Sequence, residues 1–404
     1  MIPIPDNVLI KMRVLVGSAH SLSNIPTEIF DTTRVRFLAQ LSRRLLADPR
    51  VRAFPEVATF AYWCRQANLT RMAAISKADG RLQMGLGLTF HICPANVPVN
   101  FAFSMAFGLL SGNSNVLRLP SKSSPAAELL IEAIREELGD PVHGSLRQTL
   151  LLVRFEHDDD VNRFWMSVAD GRILWGGDAT VAHMRSFPTK ARSREVAFSD
   201  RYSICILEPN SILEMDEPVL QGFCQRLFND IYLMDQAACS SPQLCVWIGT
   251  QTAVALAQSR LWPAFAEHAE RHYELQAVQV MDKFVQICRH ALSQVEVRRV
   301  FRHQNILYRI ELANAGPHQD NCRGYFGTLH EVVFANLDQL APMVNERYQT
   351  LCIQGVATEA VREFIVRNGL RGIDRVVPVG RALDMDIVWD GYDLIGSLSR
   401  LITC

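Results

Sequence analysis

The sequence predicts an α/β protein built on mostly parallel sheets covered on both faces. Strand and helix patterns alternate from Leu82 onward, first in a run ending near Ser199 and again from Tyr202. The chain has 404 residues, enough for two or three domains and a substantial core. Hydrophobic residues make up 49% and charged residues 21%, as in an ordinary globular protein and unlike a disordered one.

Residues 1–80 read as a mainly helical segment. Thr32-Thr33 precede residues 34–47, whose apolar positions recur at helical spacing, and a further helix is expected over 55–67. Residues 81–199 read as a nucleotide-type α/β domain. Its strands are expected at 86–92, 115–119, 148–155 and 172–175, with helices at 100–110, 124–138, 159–169 and 178–186. Ser124-Pro125 opens the second of these helices, with proline in the first turn, where no hydrogen bond is sacrificed. Such sheets bind ligands at the carboxyl ends of their strands, where loops and helix N-termini gather. Gly85-x-Gly87 lacks the third glycine of a dinucleotide fingerprint and precedes a strand, so it is set aside. The loops at Pro120-Ser-Lys122 and Gly176-Gly177 are the places to look instead.

Residues 200–370 form a second α/β unit. A helix over 216–234 runs into Met234-Asp-Gln-Ala-Ala-Cys-Ser-Ser-Pro-Gln243, and an apolar strand follows at 244–248. Small residues around Cys239 leave room for another molecule to reach its sulfur, and Ser-Ser-Pro supplies turn chemistry. Taken alone, the stretch also fits a buried structural thiol. Helices are expected at 252–273 and 281–292, with strands at 305–310 and 331–334. Arg298-Arg-Val-Phe-Arg302 reads as a solvated face. Residues 371–404 form a C-terminal tail.

Ten cysteines stand at 64, 93, 205, 224, 239, 245, 288, 322, 352 and 404, with no Cys-x-x-Cys pair. His91-x-Cys93 is the nearest approach to a metal pair and lacks a second pair, so no metal site is expected and the thiols read mostly as core. The net charge of -1 and the absence of a long basic run speak against nucleic acid or an anionic membrane as partner. No charged-then-apolar leader opens the sequence, and the longest apolar run, near 101–110, is short for a bilayer span. A soluble, cytoplasmic protein is the expectation.

Several long motifs stand in one order. They are His91-Ile-Cys-Pro-Ala-Asn-Val-Pro-Val-Asn100, Ser111-Gly-Asn-Ser-Asn-Val-Leu-Arg-Leu-Pro-Ser-Lys122, Asp235-Gln-Ala-Ala-Cys-Ser-Ser-Pro242, Gly372-Ile-Asp-Arg-Val-Val-Pro-Val-Gly380 and Trp389-Asp-Gly-Tyr-Asp-Leu394. With them the chain resembles the LuxC-type acyl-CoA reductases, the fatty acid reductases of bacterial bioluminescence, within the aldehyde dehydrogenase superfamily. The resemblance implies an aldehyde dehydrogenase-like α/β fold, with a parallel-sheet, Rossmann-type cofactor domain and an α/β catalytic domain. It puts Cys239 at the superfamily's nucleophile and Asn96 at its oxyanion-binding asparagine. Arg118 falls at a cofactor-contacting lysine, and Lys122 near the place of an acid that holds the adenosine ribose. Gly176-Gly177-Asp178 matches the glycine turn that opens a helix against the pyrophosphate.

The chemistry fits those roles. A thioester carbonyl attacked by a thiolate becomes an oxyanion, and one well-placed amide donor is worth about 3 kcal/mol in the transition state. Arg118 and Lys122 near one loop offer positive charge where the 2′-phosphate of NADPH would need it, although two surface cations flanking a turn would look the same. The superfamily's hydrolytic members use a glutamate base to activate water. The corresponding stretch, Ala197-Phe-Ser-Asp-Arg-Tyr-Ser203, has none; Asp200 is shorter and displaced, and Glu195 is out of register. Gly324-Tyr-Phe-Gly327 likewise lacks the glutamate that grips the nicotinamide ribose, for which Glu331 is either a substitute or an ordinary strand-edge residue.

The resemblance therefore implies NADPH-dependent reduction of a fatty acyl thioester, on CoA or a protein, to the aldehyde through acyl-Cys239. It also implies an acyl-protein synthetase partner and a homo-oligomer. Two rival readings are an NAD(P)-dependent aldehyde dehydrogenase forming free acid and a non-catalytic acyl-holding subunit. Residues 101–110 suit either a channel for a fatty chain or the core.

Overall fold

The strand–helix alternation resolves into two sheets, each in its own compact unit. The computed structural model describes residues 1–20, 22–292 and 297–403; Cys404, at the end of the tail read from the sequence, lies outside them. One unit comprises Met1–Asp200 together with the stretch from Met385, and the other comprises Arg201–Asp384.

The first unit contains β1 (Arg13–Val16), β2 (Leu82–Gly85), β3 (Leu88–Ile92), β4 (Ser114–Leu119), β5 (Leu150–Arg154), β6 (Gly171–Trp175) and β7 (Arg194–Phe198). Six of these form a sheet in the order β1-β5-β4-β3-β6-β7, parallel except for the edge strand β1. From β3 the chain steps outward to β4 and β5, then returns to lay β6 and β7 on the other side. That reversal between β3 and β6 is a topological switch point, where open α/β sheets form their ligand crevice. The helices Pro125–Gly139 and Asp159–Val168 start where side chains cap them: Ser124 accepts from the Ala127 N–H, and Asp158 from those of Asp160 and Val161.

The sequence predicts one strand over 86–92, whereas the structure starts β3 at Leu88 and places a further strand, β2, before it, with Leu86-Gly87 as the break between them. The break has a local cause. Asn113 Oδ1 takes the N–H groups of both Leu86 and Gly87, at 2.6 and 3.0 Å, and Gly87 has a φ of 136°. Residues 1–80 and the chain's end, set apart in the sequence by their pattern, pack into this same unit. Thr32–Ala47 buries Phe37, Leu38, Leu41 and Leu45, and its Arg34 guanidinium donates to the Asn113 carbonyl. Trp63 Nε1 donates to the Met385 carbonyl at 2.9 Å, and Ser399–Ile402 pairs antiparallel with β2. Residues 101–110 are buried throughout and belong to the core.

The second unit contains β8 (Tyr202–Leu207), β9 (Pro242–Ile248), β10 (Val297–His303), β11 (Leu307–Leu312), β12 (Thr328–Phe334), β13 (Tyr348–Gln354) and β14 (Arg375–Pro378). Their order is β10-β11-β12-β9-β8-β13-β14, parallel except for β10. β10 is the stretch read as a solvated face. It is an exposed edge strand, where arginines discourage pairing with another chain. The helices Glu217–Ile231 and Gln251–His272 cover the sheet with Phe223, Leu227, Trp262 and Phe265 against Trp247. Each such fully buried side chain contributes about 1.5–3 kcal/mol. Cys205 stands level with Cys245 on β9 and Cys352 on β13, all three buried, as core thiols should be. No helix among the described residues is long and apolar enough to cross a membrane.

Candidate active site

Cys239 sits on the loop that brings the chain from helix Glu217–Ile231 to β9. After Tyr232 the backbone turns through Asp235 and Gln236 with φ of 54° and 61°, two consecutive non-glycine residues in the left-handed region. Such residues are strained and persist only where their surroundings hold them. Here Gln236 does so. Its buried amide donates to the carbonyls of Pro242 and Thr328 at 2.8 and 2.9 Å, and its oxygen accepts the N–H groups of Gly327 and Thr328, both at 3.1 Å. Gln243, also buried, donates to the Gln236 carbonyl at 3.1 Å and accepts from Gly324 N–H at 2.8 Å. The cysteine loop is thereby clamped to residues 324–328.

Beside it, the Cys239 carbonyl accepts the Ser203 hydroxyl at 2.7 Å, and Ser203 Oγ accepts the Thr350 N–H at 3.1 Å. The thiol therefore stands at the amino ends of β8, β9, β12 and β13. The carboxyl-end rule that locates the loops of the first sheet does not find it. All nine described cysteines are free of disulfides. Seven are buried, and their thiols are pushed up, Cys205 first by its bond with Cys245 and then by burial, the other six by burial, Cys224 to about 12. Cys239 is half-buried, and Cys288, on helix Ala277–Leu292, is exposed, a second accessible thiol that the sequence reading left among the core ones.

Residues 324–328 have a second anchor. The Lys283 ammonium is fully buried and donates to the carbonyls of Asn305, Ile306 and Phe326, each at 2.7 Å. Burial, then the Arg302 charge, pushes it down to about 7, against three acceptors that favour the charged form. Gly327 has a φ of 79°, and a Cβ there would lie 2.1 Å from the Tyr232 hydroxyl. Lys283, Gln236 and Gln243 were not singled out in the sequence. Both glutamines stand in the stretch around Cys239, yet each also binds a partner more than 80 positions on. Glu331 is neither a strand-edge residue nor a free acid. β12 is an inner strand, and the buried Glu331 carboxylate takes Arg309 at 2.6 Å, Trp247 Nε1 at 2.9 Å and Gln258 at 3.2 Å.

In the first unit, β3, β4 and β6 are neighbours and parallel, so the loops at their carboxyl ends share one edge of the sheet. The β3 loop is the Cys93–Pro98 turn, with Asn96 exposed at its tip and the Cys93 N–H held by the Arg118 carbonyl at 3.0 Å. At the end of β4 the Arg118 guanidinium lies over the Phe155 ring at 5.2 Å, and its buried Nε has no hydrogen-bond partner among the described residues. Burial lowers its pKa. Lys122 is exposed on the next loop, which Arg154 fixes through the Pro120 carbonyl at 3.1 Å and Ser123 Oγ at 2.7 Å. At the end of β6, Gly177 is the N-cap of helix Asp178–Arg185. Asp200 reaches this turn: its carboxylate accepts the Asp178 N–H, and its own N–H donates to the Asp178 carboxylate, both at 3.2 Å.

The two acids near the expected position of a water-activating base are thus engaged. Asp200 caps a helix, and Glu195 pairs with Arg185 at 2.7 Å and Arg172 at 3.4 Å. His91 and Cys93, the nearest metal-like pair, are not arranged as one. The buried His91 ring bonds Ser104 Oγ at 2.8 Å and Asn115 Oδ1 at 3.0 Å, which occupies both nitrogens.

The same architecture occurs in solved aldehyde dehydrogenases. Aldehyde dehydrogenase 21 from Physcomitrella patens, in complex with its product succinate, superposes with a TM-score of 0.64 at 13% identity, over 92% of this chain and 85% of that one. The NAD-dependent aldehyde dehydrogenase from Sinorhizobium meliloti gives 0.63 at 14%, over 91% and 81%. The NAD-dependent benzaldehyde dehydrogenase from Corynebacterium glutamicum gives 0.61 at 11%, over 91% and 84%. These likenesses show an aldehyde dehydrogenase fold. No curated protein matches the chain by sequence. The family model for acyl-CoA reductases (LuxC) spans residues 75–403, which takes in every strand of both sheets except β1, and the chain belongs to that family.

Proposed function

We propose that the protein reduces a fatty acyl thioester, carried by CoA or by a protein, to the aldehyde with NADPH through an acyl group held on Cys239. The observation that supports this most is a half-buried thiol on a strained loop clamped by two buried glutamines, with no uncommitted acid at Glu195 or Asp200 to activate water.

A nicotinamide cofactor follows from the family and the fold. The first unit's loops fit one: the unpartnered buried Nε of Arg118 and the exposed Lys122 stand at the end of β4, and the Gly176-Gly177 turn opens a helix at the end of β6. Arg118 and Lys122 would hold the 2′-phosphate end, and the main chain of Gly176, Gly177 and Asp178 the pyrophosphate. For that the Asp200 carboxylate must give up the Asp178 N–H it accepts.

In the reaction the Cys239 thiolate attacks the acyl carbonyl carbon. A carbon–sulfur bond forms, the bond to the donor thiol breaks, and that thiol leaves after taking up a proton. The side-chain amide of Asn96 is the proposed donor to the oxyanion. A nicotinamide cofactor held by the first unit's loops would supply hydride to the acyl carbon. Cys239 then leaves as thiolate while the aldehyde departs. An acyl-protein synthetase as acyl donor, and self-association, belong to the same reading; light scattering reads the latter.

The test is aldehyde formation from an acyl-CoA chain-length series with NADPH and with NADH. Cys239→Ala is expected to lower turnover by about 10³-fold or more. An active variant would sink the mechanism. In Lys122→Glu the ratio of kcat/KM for NADPH over NADH is expected to fall at least about tenfold, since the acid repels a 2′-phosphate and bonds a ribose hydroxyl. An unchanged ratio removes Lys122 from the cofactor site. Acid formation from aldehyde without CoA, at a comparable rate, would favour the dehydrogenase reading instead.

A further inference from the structure

We propose that His290, Cys322 and His330 form a binding site for a divalent transition-metal ion of the zinc class. One ring nitrogen of each histidine and the Cys322 sulfur lie within 4.8 Å of one another. The three residues come from separate elements of the second unit: the last turn of helix Ala277–Leu292, the segment after the turn Gln319–Asn321, and the middle of β12. His330 is fully buried, and its ring lies beside the Gln243 main chain without completing a hydrogen bond to it. Neither of its nitrogens has a hydrogen-bond partner among the described residues. Buried polar groups are nearly always satisfied, so an imidazole orphaned at both nitrogens calls for a partner. Here another imidazole and a thiol stand beside it, and an ion held by the three would satisfy it.

The donor set identifies the class of ion. Two imidazoles and a thiolate suit Zn²⁺ and its neighbours, whereas Mg²⁺ and Ca²⁺ take oxygen ligands. Tetrahedral bonds of about 2.0 Å to nitrogen and 2.3 Å to sulfur put donor atoms roughly 3.3–3.6 Å apart. The side chains would therefore close by about 1 Å, and Cys322 would release its proton on binding.

The place also assigns the role. Cys322 stands two residues before Gly324, and His330 two residues after Thr328; those two residues are the ends of the stretch clamped by Gln243 and Gln236. The helix that carries His290 also carries Lys283, which holds Phe326. An ion here would tie both ends of the 324–328 stretch to one helix, stiffening the frame behind the Cys239 loop without touching the reacting atoms.

The test uses the full chain, stripped of metal with a chelator and titrated with Co²⁺ and with Zn²⁺. One equivalent of Co²⁺ is expected, with the visible bands of a tetrahedral centre and a thiolate charge-transfer band. X-ray absorption of the Zn²⁺ form is expected to show one sulfur and two or three light ligands, and Zn²⁺ to raise the melting temperature. In Cys322→Ser the thiolate band is expected to disappear, and in Cys288→Ser to remain. The proposal is overturned by failure to bind an equivalent, by a shell without sulfur or with two sulfurs, or by a band lost in Cys288→Ser. The absorption measurement needs no variant, so it decides the matter even where Cys322→Ser does not fold.

Discussion

Gln236 makes four hydrogen bonds from a side chain with no exposed surface, and all four go to main-chain groups. Asn96, by contrast, is exposed at the tip of a turn. The two residues therefore separate stability from chemistry. Gln236→Ala leaves buried N–H and C=O groups unpaired, each costing about 1–3 kcal/mol, so a loss of several kcal/mol is expected in denaturant melts. Asn96→Ala is expected to melt as the parent does while kcat/KM falls about 10²–10³-fold, the usual effect of losing an oxyanion donor. A destabilised Asn96→Ala with normal turnover would mean that its amide serves only the turn. Asn96 and Cys239 could both be singled out in the sequence because each lies in a contiguous motif. Gln236 was legible only as a neighbour of Cys239, since its meaning depends on Thr328.

At the level of elements, the packing of helix Asn100–Leu110 on β3, β4 and β6 explains several motif residues without any ligand. Ser104 Oγ bonds His91 on β3 and accepts Trp175 Nε1 from β6 at 3.0 Å, while His91 bonds Asn115 on β4. Burial pushes the His91 imidazole down to about 3, although its Asn115 contact works the other way. The sign follows from linkage. A folded-state value below the ordinary one near 6.5 means that the unfolded chain binds the extra proton. The contribution is complete above pH 6.5 and is lost as pH falls toward 3. His91→Gln keeps polar groups in the network but does not titrate there. Its unfolding free energy is expected to be lower at pH 7, and between pH 6.5 and 4 to fall less steeply than the parent's by up to about 1.4 kcal/mol per unit. Equal slopes would show that His91 is not a source of acid sensitivity.

Most inner strands were legible because βαβ alternation is a local signal. β10, β13 and β14 were not, for differing reasons. β10 is an arginine-rich edge with no buried face, and β13, Tyr-Gln-Thr-Leu-Cys-Ile-Gln, takes its place by pairing with β8, some 146 positions back, and with β14. The motif Ser111–Asn115 was legible as family sequence and proves architectural. Gly112 has a φ of 82°, and Asn113 joins residues 86–87 to the Leu398 carbonyl.

For the whole molecule, the decisive feature is that the last stretch of chain returns to the unit containing the first. A hairpin stands there, with Asp390-Gly391 as its two-residue turn at φ of 53° and 77°. What that hairpin packs against is a long-range matter. Tyr392 lies against Phe198 with ring centroids 5.7 Å apart, and Trp389, Leu394, Ile395 and Leu398 are buried. Asn113 holds the Leu398 carbonyl at 2.8 Å, and Ser399–Ile402 completes a ladder with β2. At about 1.5–3 kcal/mol for each buried side chain, four of them rival the 5–15 kcal/mol that keeps a typical domain folded. Ending the chain after Asp384 is therefore expected to unfold the first unit and spare the second. In hydrogen exchange, the amides of β3, β4 and β6 should lose protection, while those of β8, β9 and β12 keep theirs. Loss of protection in both sheets would show that the second unit does not stand without the first, and retention in both that the C-terminal stretch adds little to the fold.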